Sequence, residues 1–147
     1  MTVRYILTVC VVGFVGCAEF GSWAFVHPVL RRLPPTYWLQ VEQGLLRTFG
    51  RVMPVGMTAA PILAGSTAAG LGRSATLGWM ATAALGLALV TTIVVNVGIN
   101  LDTGRWDPDH PPDYWQDQRA RWETFQGVRA CLQLAGFALI VTAVVIR

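Results

Sequence analysis

Six polar or aromatic side chains recur every three or four residues near the end of the chain. They are Trp115, Arg119, Trp122, Gln126, Arg129 and Gln133. At about 100° per residue, helical spacing places all six within a stripe roughly 80° wide. The segment that follows, residues 134–146, is almost wholly apolar. A guanidinium on such a helix is costly in lipid unless its face looks inward, so the stripe predicts an internal site.

Two more ionisable groups, Glu19 and His27, lie in the first apolar run, two helical turns apart with Trp23 between them. An isolated carboxylate is very costly in a low dielectric, so Glu19 is either protonated or paired. Either group is a candidate catalytic acid or base. The alternatives are that Glu19 bridges two helices and that His27 caps the end of its helix before Pro28.

Arg129 is the third candidate catalytic residue. A buried guanidinium needs an anion, and the two candidates are Glu19 and a bound enolate, phenolate or carboxylate. The alternative is that Arg129 extends to the membrane interface and remains solvated.

The candidate substrate-binding residues are polar or aromatic. They lie at the end of the third predicted span, in the loop that follows it and in the extended start of the fourth helix. They are Asn96, Asn100, Trp106, Trp115, Arg119, Trp122 and Gln126. Two amides one turn apart, at positions 96 and 100, can fix a ligand carbonyl or phenol, or can bridge helices. The tryptophans also fit an aromatic belt at the membrane interface.

The composition of the 147 residues is that of a membrane protein. Hydrophobic residues make up 54% and charged residues only 13%, against about 25% charged in a typical soluble domain. The net charge is +3 and every basic residue is an arginine beside acids or at a helix end, which disfavours a nucleic-acid partner. The lipid bilayer is the expected partner.

No metal site and no cofactor is predicted. Cys10, Cys17 and Cys131 form no CxxC pair and are interpreted as small buried hydrophobic residues. His27 and His110 are the two histidines of the chain, too few for a multi-histidine iron or copper site. A haem with His27 as its single axial ligand stays open, as does a metal.

Hydropathy predicts an all-α, integral membrane four-helix bundle in a single domain, residues 1–147. The spans are expected at about 5–29, 53–71, 76–101 and 127–146, the last preceded by an extended start at about 113–126. Residues 36–51 are amphipathic and predict a short interfacial helix between spans 1 and 2. Both termini are expected on one side.

Several segments together resemble the anthrone oxygenase-like family of small four-span membrane proteins. The segments are Asn96-Val-Gly-Ile-Asn100, Trp106 with the Pro-rich loop, Trp115, and Arg121-Trp122 followed by Arg129; His27-Pro28 and Arg51-Val-Met-Pro54 are similar to bacterial members. The resemblance implies a membrane monooxygenase, or a related tailoring enzyme of secondary metabolism, that adds oxygen to a lipophilic anthrone-like phenol. It also implies that no dedicated metal or flavin is needed.

One position departs from the family pattern: Gln126 stands where many members place a histidine four residues after the tryptophan of the fourth helix. If that histidine is the base in relatives, this chain uses Glu19 or His27, or lacks the activity. The alternative function is a non-catalytic binder of lipids or small lipophiles, or an accessory subunit. A small transporter has less support, because no pair of broken helices is apparent. A homo-oligomer is left open.

The distribution of arginines predicts the orientation. Arg4, Arg73 and Arg147 fall on one side of the four spans, and the remaining loop arginines fall on the other. By the positive-inside rule the two long loops are cytoplasmic, in the plasma membrane of a bacterium.

Overall fold

The computed structural model describes residues 2–147, and these fold into long helices joined by short connections. The first rod consists of α1 (Thr2–Gly21), a π-helical turn (Ser22–Val26) and α2 (His27–Leu30). Prolines 34 and 35 end this rod and start the next, since proline is favoured in the first turn of a helix. The described residues contain no strand, so the prediction of an all-α fold is confirmed.

The second rod, α3 (Pro35–Ala68), is a single helix of 34 residues. The prediction of a separate interfacial helix at 36–51 is therefore wrong. Pro54 and Pro61 lie inside α3, where each removes one backbone hydrogen bond, a loss that packed helices in membranes tolerate. The apolar side of the first half of α3 packs against protein, as shown by the burial of Leu39.

The third rod consists of α4 (Ala75–Thr91), a second π-helical turn (Thr92–Asn96) and α5 (Val97–Thr103). The loop at 104–114 leads to α6 (Trp115–Val145), close to the predicted start and end of the fourth helix. Three segments are long and apolar enough to cross a membrane: Val3–Leu30, Gly72–Thr103 and Trp115–Val145. The chain is therefore a membrane protein.

Side-chain contacts fix the direction of each rod. Thr8 at the start of α1 bonds Thr67 at the end of α3, with 2.8 Å between hydroxyl oxygens. At the other end, Gln43 donates to the backbone carbonyl of Thr103 over 3.0 Å. Thus α3 runs the length of the bundle, antiparallel to both neighbouring rods.

Both ends of the chain lie at the same end of the bundle, because the Arg147 guanidinium sits 4.3 Å from the centre of the Tyr5 ring. The apolar core there joins all four rods through Val12, Ala64, Leu85 and Ile140.

Glycines allow the helices to approach closely. A side chain at Gly136 would lie 2.9 Å from Leu85, so α6 can touch α4 only because that side chain is missing. At Gly127 an added Cβ would lie 2.7 Å from the Trp23 ring. These contacts hold α6 in the centre of the bundle and its polar stripe against the other rods.

The cysteines differ from expectation. All three lie exposed on the outer surface of the helices and none is in a disulfide. Their interpretation as buried residues is wrong, because a thiol can face lipid as readily as a dry core.

Candidate functional site

The polar stripe of α6 faces inward. Its six residues, Trp115, Arg119, Trp122, Gln126, Arg129 and Gln133, are all buried, none more than 6% exposed. The inner face of α6 therefore carries two guanidinium groups into the protein. Each of them requires an anion nearby.

One cavity of about 620 Å³ lies against this stripe, a size within the usual range of small-molecule sites. Its polar wall includes Glu19, Ser22, His27, Glu42, Asn100, Gln126 and Arg129, with Thr92 at one side. Its apolar wall comes from α3 and from the α4–α5 rod, through residues such as Phe49, Met53, Leu89 and Val97. The cavity is thus apolar on one side and ionic on the other.

The first ionic group pairs α1 with α6. An Nη atom of Arg129 lies 2.6 Å from Oε2 of Glu19, and the Gln126 amide donates to the same oxygen over 2.6 Å. Arg129 also contacts the Gln126 carbonyl oxygen and donates to the Thr92 hydroxyl over 3.3 Å. Glu19 is therefore paired. This is one of the two states, protonated or paired, that its position in an apolar helix predicted.

Arg129 still has unused hydrogen-bonding capacity. Its Nε atom is buried without a partner, and its weakest contact, with Thr92, is close to the hydrogen-bond limit. A guanidinium carries five donors in a planar fork. An anionic ligand in the cavity could therefore bind Arg129 while Glu19 keeps its own contact.

The second ionic group pairs α3 with α6. An Nη atom of Arg119, which is fully buried, lies 2.7 Å from Oε1 of Glu42, although the two are not aligned as a hydrogen bond. The Trp38 indole donates to the same oxygen over 3.1 Å. The guanidinium of Arg119 also lies 4.2 Å above the Trp122 ring, a cation–π geometry.

His27 lies beside this second group. Its Nδ1 atom is 2.9 Å from the carbonyl oxygen of Ser22; a carbonyl can only accept, so Nδ1 carries the proton. In the neutral ring Nε2 is then unprotonated and free to accept a proton. Nε2 has no hydrogen bond and lies 3.6 Å from Oε1 of Glu42.

The π-helical turn produces this arrangement. His27 is the first residue after the turn, and its backbone N–H bonds the carbonyl of Ser22, five residues earlier. The extra residue in the turn rotates His27 into the cavity, whereas Trp23 packs against Gly127 of α6 instead of lying between Glu19 and His27. Such turns often occur at functional sites.

The surroundings of Glu42 favour its ionised form. Its Oε1 atom lies 2.7 Å from an Nη atom of Arg119 and accepts from the Trp38 indole, and both contacts favour the charged form of the carboxyl. Glu42 is therefore an anion at neutral pH.

The two asparagines have different positions. Asn100 lines the cavity and its carbonyl oxygen is buried without a partner. Asn96 is fully buried, does not line the cavity, and donates to the Trp122 backbone carbonyl over 3.2 Å. Asn96 thus takes the helix-bridging alternative, and Asn100 has an acceptor available for a ligand hydroxyl.

The three tryptophans of the predicted site also occupy different positions. Trp122 lines the cavity with its ring 4.9 Å from that of His27. Trp115 packs on Trp38 with ring centres 5.0 Å apart, and Trp106 is half-buried beside Tyr114. The alternative of an interfacial belt is wrong for Trp115 and Trp122, which are buried. Neither Trp106, Trp115 nor Arg119 lines the cavity.

Sequence reasoning missed Glu42. It was counted as part of an amphipathic surface helix, although Glu19 and Glu42 are the only acids among the first hundred residues. A lone acid on the face that also carries Leu39 is a signal for a buried pair. Thr92, which contacts Arg129, lies on the polar face that the spacing of Asn96 and Asn100 indicates. Ser22, which contacts His27, had no signal in the sequence because its position depends on the π-helical turn.

Among residues 2–147 no group of three or more histidine, cysteine or acidic side chains is arranged to hold a metal ion. The site is built instead from two arginine–carboxylate pairs, a histidine and amides. This set can bind an anion and move a proton.

Comparison with known proteins identifies the family of this chain. The family model described as anthrone oxygenase matches residues 45–139. This segment contains Asn100, Trp122, Gln126 and Arg129. It begins after Glu19, His27 and Glu42. No curated protein and no solved structure matches the chain. Because the match covers well over half of the sequence, the chain belongs to the anthrone oxygenase family.

Proposed function

We propose that this protein is a membrane-embedded oxygenase that acts on a lipophilic, anthrone-like phenol. The observation that carries the proposal is that one cavity is lined by both the imidazole of His27 and the guanidinium of Arg129, and that Nε2 of His27 and Nε of Arg129 have no hydrogen-bond partner. A base and a fixed cation facing one apolar space can remove a proton and hold the resulting anion.

The proposed reaction needs no external reductant. His27 removes a proton from the carbon opposite the ketone of the anthrone, leaving a delocalised enolate. The enolate gives one electron to dioxygen, and the two radicals join to form a carbon–oxygen bond. The resulting hydroperoxide loses its second C–H proton and its O–O bond breaks with loss of hydroxide. One molecule of dioxygen thus gives one quinone carbonyl and one water, a four-electron oxidation of the substrate.

Each polar residue has a role in this scheme. Glu42, held by Arg119 and Trp38, stabilises the His27 imidazolium. Arg129 binds the oxygen on which the enolate charge concentrates, and the carbonyl oxygen of Asn100 accepts from a phenol hydroxyl of the substrate. The apolar wall excludes water, which strengthens the attraction of Arg129 for the anion.

Position 126 takes no part in proton transfer, since an amide accepts no proton near neutral pH. Gln126 instead holds Glu19 against Arg129. The base role that a histidine at this position would have in relatives therefore passes to His27. We prefer His27 to Glu19 as the base, because Oε2 of Glu19 already accepts hydrogen bonds from Gln126 and Arg129.

The test measures oxygen consumption with 1,8-dihydroxyanthrone by protein in nanodiscs, above the autoxidation rate of the compound. His27→Gln is expected to lower the rate about 100-fold or more, the usual contribution of a general base. His110→Gln is the matched control, because His110 is the other histidine and its side chain is 86% exposed. Arg129→Gln is expected to lose a comparable factor.

Three results would contradict this scheme. Equal rates for wild type and His27→Gln would remove His27 as the base. Loss of activity in Glu19→Gln with His27→Gln unaffected would transfer that role to Glu19. Rates in wild type no higher than autoxidation would leave a non-catalytic protein.

A non-catalytic binder of small lipophiles is the second candidate. The observation in its favour is that Arg129 and Glu19 already neutralise each other within the protein, so no ligand is needed for folding. Binding of 1,8-dihydroxyanthraquinone without turnover of the anthrone would favour it.

We further propose that α3 crosses the bilayer as a fourth span, since it runs the length of the bundle beside three apolar rods. The membrane is the plasma membrane of a bacterium, with the loops at 31–34 and 104–114 in the cytoplasm. Arg31, Arg32 and Arg105 in these loops support the orientation by the positive-inside rule.

A further inference from the structure

The cavity is open on one side, between α3 and the α4–α5 rod. Ile93, Val97 and Leu101 line it and yet are 61%, 41% and 57% exposed. On the opposite helix Gly50 and Pro54 also line the cavity and are exposed. Thr58, Gly104 and Arg105 also line the cavity and are exposed. Residues that belong both to the cavity wall and to the outer surface mark its mouth.

The part of this mouth formed by the α4–α5 rod lies in a candidate membrane span. Residues 93–101 lie within the segment Gly72–Thr103, which is apolar and long enough to span a membrane. The three mouth residues on this rod have only hydrocarbon side chains. Glycine and proline on α3 add little bulk, and the proline has no N–H to be satisfied. A molecule that crosses the mouth between Ile93 and Pro54 therefore passes apolar groups, whereas the end of the opening at Arg105 is polar.

The polar groups of α1 and α6 line the side of the cavity away from this mouth. Glu19 and Gln126, on α1 and α6, are buried at 2% and 1% exposure, and Arg129 lies between them. A molecule entering from lipid would meet the apolar wall first and the guanidinium last. The cavity thus has a polar inner end and an apolar outer end.

We infer that the substrate enters and leaves sideways, from the bilayer, through this cleft. The inference rests on the proposed function for the identity of the substrate. It adds that the ionisable ring of the substrate points inward to Arg129 and that its far ring points to lipid. The substrate class is therefore a flat phenol whose far ring carries no charge, and an alkyl chain on that ring extends into the membrane.

The test uses 1,8-dihydroxyanthraquinone as a coloured probe that cannot turn over, with its binding followed by stopped-flow absorbance in nanodiscs. Ile93→Trp places a large ring in the mouth. Val94→Trp is the matched control, since Val94 is the next residue, is 74% exposed and does not line the cavity. Because both positions face lipid, both variants should fold.

We expect Ile93→Trp to slow association and dissociation together by about tenfold, with little change in Kd, and Val94→Trp to match wild type. Val97→Trp should repeat the result of Ile93→Trp. A probe with a decyl chain on its far ring should bind as tightly as the bare probe. Rates unchanged by Ile93→Trp and Val97→Trp, or exclusion of the decyl probe, would overturn lateral entry.

The two proposals fail separately. Probe entry that is slowed by Ile93→Trp in a protein without oxygenase activity would support the lateral mouth and remove the oxygenase. Normal oxygen consumption with entry rates unaffected by either mouth variant would support the oxygenase and remove the lateral mouth.

Discussion

Neutralising Glu19 should reveal how much the buried pair with Arg129 stabilises the bundle. Glu19 is 2% exposed and Arg129 is 6% exposed, and the two groups are 2.6 Å apart. Glu19→Gln keeps the shape of the side chain but leaves a guanidinium buried without its anion. Removing one partner of a buried pair costs about 3–5 kcal/mol. The lower end, about 3 kcal/mol, is expected here because the pair borders a cavity.

The double variant Glu19→Gln with Arg129→Gln separates pairing from packing. With both charges gone, neither side chain is a buried ion, so the double variant should be more stable than Glu19→Gln alone. The measurement is the free energy of unfolding in mixed micelles, followed by tryptophan fluorescence during titration with SDS.

Glu123→Gln serves as the matched control. Its partner Arg31 contacts Glu123 but has a side chain that is 50% exposed, so solvent screens this pair and Glu123→Gln is expected to cost less than Glu19→Gln. The reasoning is refuted if Glu19→Gln costs no more than Glu123→Gln, or if the two substitutions in the double variant simply add.

Two further outcomes are expected. Gly127→Ala should destabilise the protein by about 1–3 kcal/mol through overpacking against Trp23, whereas Gly44→Ala, with open space around it, should be neutral or slightly stabilising; equal effects in thermal unfolding would contradict the close contact. In a background without native cysteines, Arg73→Cys should react with an impermeant maleimide added to intact cells and Asp109→Cys should not; the reverse pattern would invert the proposed orientation.

The sequence predicted the apolar rods and the inward face of α6 because both follow from side-chain periodicity. A helix repeats every 3.6 residues whatever it packs against, so the spacing of Arg119, Gln126 and Arg129 sufficed to place them together. Burial of the stripe followed from the cost of a guanidinium in lipid.

The continuity of α3 was not predictable in the same way. Residues 36–51 are amphipathic and residues 53–71 are apolar, and this change of pattern was interpreted as a break. The structure shows that the polar half packs against α5 and α6, with Gln43 bonding the end of α5. Amphipathicity shows that a helix has a buried face, but does not distinguish a protein neighbour from a membrane surface.

The π-helical turns were also beyond sequence reasoning. A π-helical turn differs from α-helix by one residue, and residues 22–26 and 92–96 show no composition that requires it. Yet the first of these turns directs His27 into the cavity and Trp23 to Gly127. Side-chain directions after such a turn cannot be obtained from uniform spacing of 100° per residue.

The two arginine–carboxylate pairs affect both how the helices pack and how the site is built. Arg119 and Arg129 lie ten residues apart on α6, about 15 Å along its axis, and their carboxylates come from α3 and α1. Sliding α6 by one residue would turn both guanidinium groups by about 100°, away from both acids and towards lipid. Apolar packing alone would tolerate many such rotations, because hydrocarbon side chains and lipid tails are nearly equivalent. The pairs therefore select a single register for three helices. That register is also the one in which Arg129 and His27 line the same cavity.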